Sequence, residues 1–350
     1  MPEKVELSSG GDALIIGGGI SGMTVALELA QSGIPSTLIE KKPSLGGLSA
    51  SFCCKASESC NKCFACVVDK RVSEIHQRQD ISILTETEVI GVKGNGGKHH
   101  VSLIRGKERI DLNVSAVVIA AGINPFNASQ KVEYGYGRHK NVITAKDLDE
   151  MLRYRGALSR PSDGKLPNTV AFFQCVGSRD ESIGNLYCSQ VCCAYALRLI
   201  KAIRYQYPQV KATFLYMDIQ PAGVSFQQLL ASCREDKGIR LIRNLPSKVY
   251  HSPLSDTLRV RFTDPEREEV VEDPFDLIVL SVGMVLSDEA KCLKELFSLS
   301  LTEDGFLASP PTQTGVFVTG ACSGPKDIDR SILDAKSASL LVQQHLRGRP

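Results

Sequence analysis

The run LIIGGGISGMTVALELAQSG constrains the fold of this chain more than any other stretch. An apolar strand at Ala13–Ile16 meets a glycine-rich turn, then a helix at Ile20–Gln31, with a second strand at Ser36–Ile39. Gly17, Gly19 and Gly22, with Gly18 between, form G-x-G-x-x-G in the strand–turn–helix setting that gives the motif its meaning. Gly17 permits the tight turn, Gly19 lets the backbone approach a pyrophosphate, and Gly22 lets the helix pack closely on the strand. The helix start, with Ile20 and Ser21, offers N–H groups and a positive dipole end to phosphates. Glu40 closes the next strand about 20 residues on, where an acid accepts hydrogen bonds from a ribose.

The layout then repeats. A strand at 169–173, a turn, an Ala- and Leu-rich helix at 191–204 and a strand at 210–217 form a second βαβ unit. ISILTETEVIGV at 81–92 is similar to IRLIRNLPSKVY at 239–250, and each leads into a polar hairpin. Each hairpin feeds a buried strand, AVVIAAG ending at Gly122 and LIVLSVG ending at Gly283. The expected fold is α/β with two Rossmann-like domains, the second inserted in the first. Residues 10–130 and 278–350 form one and 135–275 the other. His99 and His100 read as solvated hairpin residues.

With 43% hydrophobic and 23% charged residues the chain has a globular composition. A net charge of +2 argues against a nucleic-acid binder. No apolar run approaches the roughly 20 residues of a spanning helix, so no direct membrane insertion is expected. The first residues, MPEKVELSSGG, lack the apolar core of a secretory signal, which makes a cytoplasmic location the expectation. In a reducing compartment the 12 cysteines suggest metal binding or redox chemistry rather than a disulfide framework. Cys233, Cys292 and Cys322 stand alone, and the rest fall into two groups.

The first group occupies the place of a nicotinamide site. VAFFQCVGSRDESIGNLYCSQVCCAYALRLI has no G-x-G-x-x-G after its strand, so no NAD(P)H site is expected. Cys175 sits at the strand end, with Cys188, Cys192 and Cys193 at the start of the following helix. Cys188 and Cys192 share a face if the helix includes both. Four thiolates gathered there suit an iron–sulfur cubane. Zinc is the rival, since Cys₄ zinc sites are frequent, but zinc has no redox role.

Lys41, Lys42 and Pro43 leading into Gly46 and Gly47 resemble the two-dinucleotide flavoproteins of the thioredoxin-reductase group. The turn at Ala121 and Gly122 resembles their second conserved turn, and GVFVTGACSGPKDI resembles their flavin-ring segment. That resemblance implies FAD, with Gly320, Lys326, Asp327 and a helix starting near Ile328 at the flavin. The runs CVGSRDE and YCSQVCCAYAL, and GPKDIDRSILDAKSAS, look like the A-subunit family of heterodisulfide reductase. The resemblance covers most of the chain. It implies FAD with one or two [4Fe-4S] clusters, and Cys175, Cys188, Cys192 and Cys193 as a ligand set. It also implies partner subunits of a complex acting on disulfide or related sulfur substrates. The ferredoxin-like modules of the long forms are absent, so the chain resembles short forms of sulfur-oxidation complexes or of a quinone-interacting oxidoreductase. Related flavoproteins make a homodimer the expectation. A self-contained FAD-dependent disulfide reductase is the enzyme rival, and an assembly protein with merely structural cofactors the non-enzyme one.

The second group, SFCCKASESCNKCFACVVDK, supplies Cys60, Cys63 and Cys66 at C-x₂-C-x₂-C spacing, with Cys54 or Cys53 as a fourth ligand. Its alternatives are a zinc knot, a redox disulfide or a docking contact.

Overall fold

The computed structural model describes residues 4–5, 12–95, 98–220, 223–252 and 257–348. Two compact units result. One comprises Met1–Ala50, Phe64–Asn124 and Val285–Pro350, the other Ser51–Cys63 and Pro125–Met284. Along the chain come β1 (Lys4–Val5), β2 (Ala13–Ile16), α1 (Ile20–Gln31), β3 (Ser36–Ile39), α2 (Ala65–His76) and β4 (Ile81–Leu84). The hairpin strands β5 (Thr87–Asn95), β6 (Lys98–Arg105) and β7 (Glu108–Val114) lead to β8 (Ala116–Ile119) and β9 (Ile123–Pro125). The second unit carries β10 (Val142–Thr144), α3 (Ala145–Arg155), β11 (Thr169–Val176), α4 (Cys192–Gln206), β12 (Lys211–Leu215), α5 (Gly223–Glu235) and β13 (Ile239–Ile242). It closes with β14 (Lys248–His251), β15 (Leu258–Asp264), β16 (Glu269–Phe275) and β17 (Leu277–Val282). After β18 (Met284–Leu286), the chain finishes with α6 (Asp288–Leu296), β19 (Val316–Val318) and α7 (Ile328–Arg347).

The first unit holds a parallel sheet of order β19-β8-β2-β3-β4. Strands buried on both faces read as unbroken apolar runs, as ALII in β2 and AVVI in β8 do. Successive crossovers run to opposite sides of β2, so a crevice opens beyond its carboxyl end. The core packs Met23, Val25 and Leu29 of α1 with Ala335 and Val342 of α7 and Val68 and Ile75 of α2. His99 departs from expectation: it is buried, and its Nε2 lies 2.9 Å from the Thr314 carbonyl oxygen. Strand β6 puts its side chain on the covered face of the hairpin.

The second unit repeats the plan with order β10-β17-β11-β12-β13, and β14–β16 form an antiparallel meander as β5–β7 do. Position for position the two parallel sheets correspond, as the doubled sequence layout anticipates. The difference concerns 51–63. Expected in the first domain, this strap belongs to the second unit, and a buried ion pair explains why. The ammonium of Lys55 lies 2.7 Å from Asp149, with both side chains at most 1% exposed. Asp149 also accepts from the Cys53 amide at 2.7 Å and from the Tyr195 hydroxyl at 2.5 Å. The ammonium stands 5.2 Å from the Phe52 ring and 5.1 Å from the Tyr195 ring. Arg153 donates to the Phe52 carbonyl at 2.7 Å.

Candidate cofactor sites

In the first unit each glycine of the fingerprint has its own reason. A Cβ on Gly17, whose φ is +107°, would stand 2.4 Å from the Ala120 carbonyl oxygen, and one on Gly22 1.9 Å from that of Gly17. Both positions are closed by the fold itself. A Cβ on Gly19 would meet nothing nearer than Gly47 Cα at 3.9 Å, so Gly19 borders open space at the start of α1. Gly122, at φ +66°, likewise has nothing within 4 Å of a Cβ. The space left at Gly19 and Gly122, beside an uncapped helix start, fits a dinucleotide backbone.

Glu40 is buried, and its two carboxylate oxygens accept from the Gly18 and Lys42 amides, each at 2.8 Å. That fixes its orientation and leaves one lone pair on each oxygen for ribose hydroxyls. Gly46 donates to the Gly18 carbonyl at 2.8 Å, which brings Gly46–Gly47 beside the fingerprint. A Cβ on Gly320 would stand 2.2 Å from Ser21 Oγ, so the Gly320 turn lies against the first turn of α1. Lys326 is drawn inward: its ammonium donates to Ser323 Oγ at 2.7 Å and to the Gly320 carbonyl at 3.2 Å. Asp334 lies 3.7 Å from it. Asp327 caps α7 by accepting from the Arg330 amide at 2.9 Å. The sequence gives no hint of Glu289, which reads as an ordinary first-turn acid. It lies 3.9 Å from Lys41, and burial pushes its carboxyl up to about 7. Nearby Glu40 and Glu88 add to the shift, and Lys41 opposes it.

In the second unit a small recess, partly open to solvent, is lined by Cys175, Cys188, Cys192 and Cys193 with Arg179, Asp218 and Gln220. Cys175 stands on a bulge where β11 shifts register against β17, and its φ of +57° turns the thiol out of the strand alternation. Expectation and structure part at Cys188. The helix starts at Cys192, so Cys188 lies in the preceding loop and shares no helix face with it. Gln190, at φ +58°, breaks the backbone between them. The loop is pinned by Ser189 Oγ, which accepts from the Met284 amide at 2.9 Å, and by Tyr187, whose hydroxyl donates to the Met284 carbonyl at 2.7 Å. Further back Asp180 accepts from Lys131 at 2.8 Å, and Arg179 forms an ion pair with Asp218.

Left-handed conformations at non-glycine residues are costly and concentrate at functional sites. Lys62, Phe64, Cys175, Arg179 and Gln190 adopt them, so both cysteine groups carry strained backbone. Burial pushes the Cys175 thiol up to about 11, with Cys193 and Cys188 adding and Arg179 opposing. Burial likewise holds Cys192 well above the ordinary thiol range. These thiols are protonated in the metal-free protein, so ligation must displace their protons. Thiolate charge is favoured by the start of α4, which has no side-chain cap. Among the described residues no three ligating side chains stand close enough for a single ion. A tetrahedral zinc site needs its sulfurs within about 3.8 Å of one another, given Zn–S of about 2.3 Å. A cubane spreads four cysteines over its irons.

The second cysteine group is divided. Cys53 is buried in the second unit's core, and burial pushes its thiol up to about 12. Cys54 and Cys60 are exposed and Cys63 half-buried, all on the strap, whereas the exposed Cys66 belongs to α2 of the first unit.

A family model described as an NAD(P)-binding Rossmann-like domain matches residues 15–78, the segment from β2 through α2. Over 96% of its length the chain is 31% identical to an iron-sulfur A-subunit of the CoB–CoM heterodisulfide reductase of Methanopyrus kandleri. It is 30% identical, over the same share, to the A-subunit of the H(2):CoB-CoM heterodisulfide,ferredoxin reductase of Methanothermobacter marburgensis. The chain is homologous to the A-subunits of heterodisulfide reductases. It spans 64% of the length of each of these two relatives. Among solved structures, thioredoxin reductase of Lactococcus lactis aligns with a TM-score of 0.62 at 17% identity, over 97% of this chain and all of that one. The enzyme of T. acidophilum aligns with a TM-score of 0.61 at 15% identity, over 97% and 98%. The fold is thus that of the thioredoxin-reductase-like flavoproteins, and the homologues are oxidoreductase subunits. No helix among the described residues is long and apolar enough to cross a membrane.

Proposed function

We propose that the chain is the FAD-binding electron-transfer subunit of a heterodisulfide-reductase-like complex, with a [4Fe-4S] cluster held by Cys175, Cys188, Cys192 and Cys193. Its partners are the other subunits of that complex, and its metabolic setting is that of sulfur or disulfide substrates. One observation carries the reading: four thiols converge on the α4 start, the place in the second Rossmann-like unit where a nicotinamide nucleotide would set its pyrophosphate. FAD and the cluster would together exchange electron pairs for single electrons.

The chain's own residues do the rest. Gly19, Gly122 and the start of α1 receive the dinucleotide, and Glu40 orients its ribose. The bulge at Cys175 and the Ser189 anchor aim two thiols at the recess, and α4 supplies the other two. Arg179 offsets negative charge there, and Gln190 donates its amide to Cys188 Sγ at 3.3 Å. Anaerobic iron and acid-labile sulfide analysis tests the reading on wild type and Cys192→Ser. The expected result is loss of about four iron per chain in the variant with FAD retained. Equal iron in both, zinc without sulfide, or stoichiometric reduction of the pure protein by NADPH or NADH would overturn it.

A further inference from the structure

Apart from the thiols, Arg179 and Asp218 are the ionisable side chains among the residues lining the recess of the second unit. They face each other as a two-pronged pair. Arg179 Nη1 donates to Asp218 Oδ1, and Nη2 donates to Oδ2 at 3.2 Å. The neighbouring Asp180 adds little to the charge there, since Lys131 holds it at 2.8 Å. Arg243 also bears on Asp218, with its own Nε donating to the Met217 carbonyl at 3.2 Å.

The turn that carries Arg179 is fixed from several sides. Gly177 has φ +79°, and a Cβ there would stand 2.1 Å from the Phe126 ring. Asn185 Nδ2 donates to the Gly177 carbonyl at 3.0 Å, and the Asp180 amide donates to the Asn185 carbonyl at 2.9 Å. The Arg179 amide donates to the Tyr187 carbonyl at 3.1 Å. Arg179 itself holds φ +55°, a conformation that is costly for a non-glycine residue and persists only where the surroundings impose it. The guanidinium is therefore a fixed charge beside the thiols. Burial is the main reason the Cys175 thiol stands at about 11, and Arg179 works against it by charge and by a side-chain hydrogen bond. The same charge bears on Cys188 and Cys193, whereas Asp218 acts on Cys193 in the opposite sense. The backbone donors to these two sulfurs are neutral: the Gln190 amide to Cys188 Sγ at 3.3 Å, and the Gln220 amide to Cys193.

Adding an electron adds negative charge, so a fixed cation nearby makes reduction easier and a fixed anion makes it harder. We propose that Arg179 and Asp218 set the reduction potential of the Cys175–Cys193 centre as an opposed pair, Arg179 favouring the reduced state and Asp218 limiting that effect. The inference rests on the cluster reading above. It adds two positioning residues to that reading, neither of them a ligand, and gives the carboxylate a part in the redox chemistry beyond anchoring the turn.

The experiment uses the full chain, reconstituted anaerobically with ferrous iron and sulfide. Iron and sulfide per chain are measured, and the electron paramagnetic resonance of the reduced cluster is followed during a mediated titration with dithionite as electron donor. Four forms are compared: wild type, Arg179→Gln, Asp218→Asn and the double variant. Arg179→Gln should shift the reduction equilibrium against the reduced state by roughly tenfold, a fall of about 59 mV for one electron. Asp218→Asn should shift it the other way by roughly threefold, less because Asp218 is 38% exposed against 22% for Arg179. The double variant, which removes the pair whole, should return toward the wild-type potential. Opposite signs separate this role from a structural one. If the pair only held the turn, both single variants would break the same contact and move the potential in the same direction or not at all. Shifts of the same sign, or four equal potentials at wild-type iron content, overturn the proposal and leave the cluster in place. Wild type that takes up no iron with sulfide overturns the cluster reading, and this inference with it. If Arg179→Gln does not hold iron, Asp218→Asn carries the test from its partly exposed position, and a potential at or below that of wild type overturns the proposal.

Discussion

Replacing Lys55 by Met should detach the strap from the second unit. In the protein the ammonium lies 2.7 Å from Asp149, donates to the Cys53 carbonyl at 3.1 Å, and is enclosed by the rings of Phe52 and Tyr195. Breaking a buried pair by removing one partner costs roughly 3–5 kcal/mol, because the remaining charge is left without compensation. Asp149 keeps its bonds from the Cys53 amide and the Tyr195 hydroxyl, and Met fills the aliphatic volume. The cost should therefore fall at the low end, about 3 kcal/mol. Two assays report it. Urea unfolding should show a lowered midpoint with unchanged slope, and limited proteolysis should show faster cleavage near the exposed Glu58 and Ser59. The double variant Lys55→Met/Asp149→Leu should recover most of the loss, since replacing a whole buried pair by apolar groups is near neutral. A single variant as stable as wild type, or a double variant less stable than the single, would refute this account of the strap.

The Gly19→Ala variant should fold normally yet hold FAD at least about tenfold more weakly, as the new methyl enters open space that a pyrophosphate would need; unchanged FAD affinity would remove the pyrophosphate from that position. Glu289 links stability to pH. Its carboxyl is raised from 4.5 to about 7 in the folded state, so its contribution is complete below about pH 4.5 and declines as pH rises through 7. The difference is at most about 3 kcal/mol, and urea midpoints of the apoprotein at pH 5 and pH 8 should converge in Glu289→Gln; a pH slope that survives the substitution would assign it to other groups.

What could be read from residues alone was whatever short-range spacing encodes. The fingerprint glycines, Glu40 and the grouping of Cys175 with Cys188, Cys192 and Cys193 lie within single βαβ units, where strand, turn and helix follow in order. The helix read at 191–204 does start at Cys192; what composition hid is the left-handed Gln190 that leaves Cys188 in the loop before it. The allegiance of the strap was equally hidden. It depends on Lys55 meeting Asp149, a partner far along the chain, and a lysine in a polar stretch ordinarily reads as a solvated charge. Glu289 was missed for a similar reason, as its raised carboxyl comes from burial near Lys41 and Glu40.

The strap has a consequence for the order in which this protein can be made. Residues 51–63 leave the ribosome before α3 and α4, so Lys55 is synthesised well ahead of the aspartate and tyrosine that will enclose it. The second unit therefore finishes folding only by taking in a segment already present, and the first unit waits for β19 and α7 at the very end of the chain. A contiguous fragment covering 125–284 alone would leave Asp149 as a buried anion without its lysine. The two units are interlaced through synthesis, and each is completed by a part of the chain that lies outside its own main stretch.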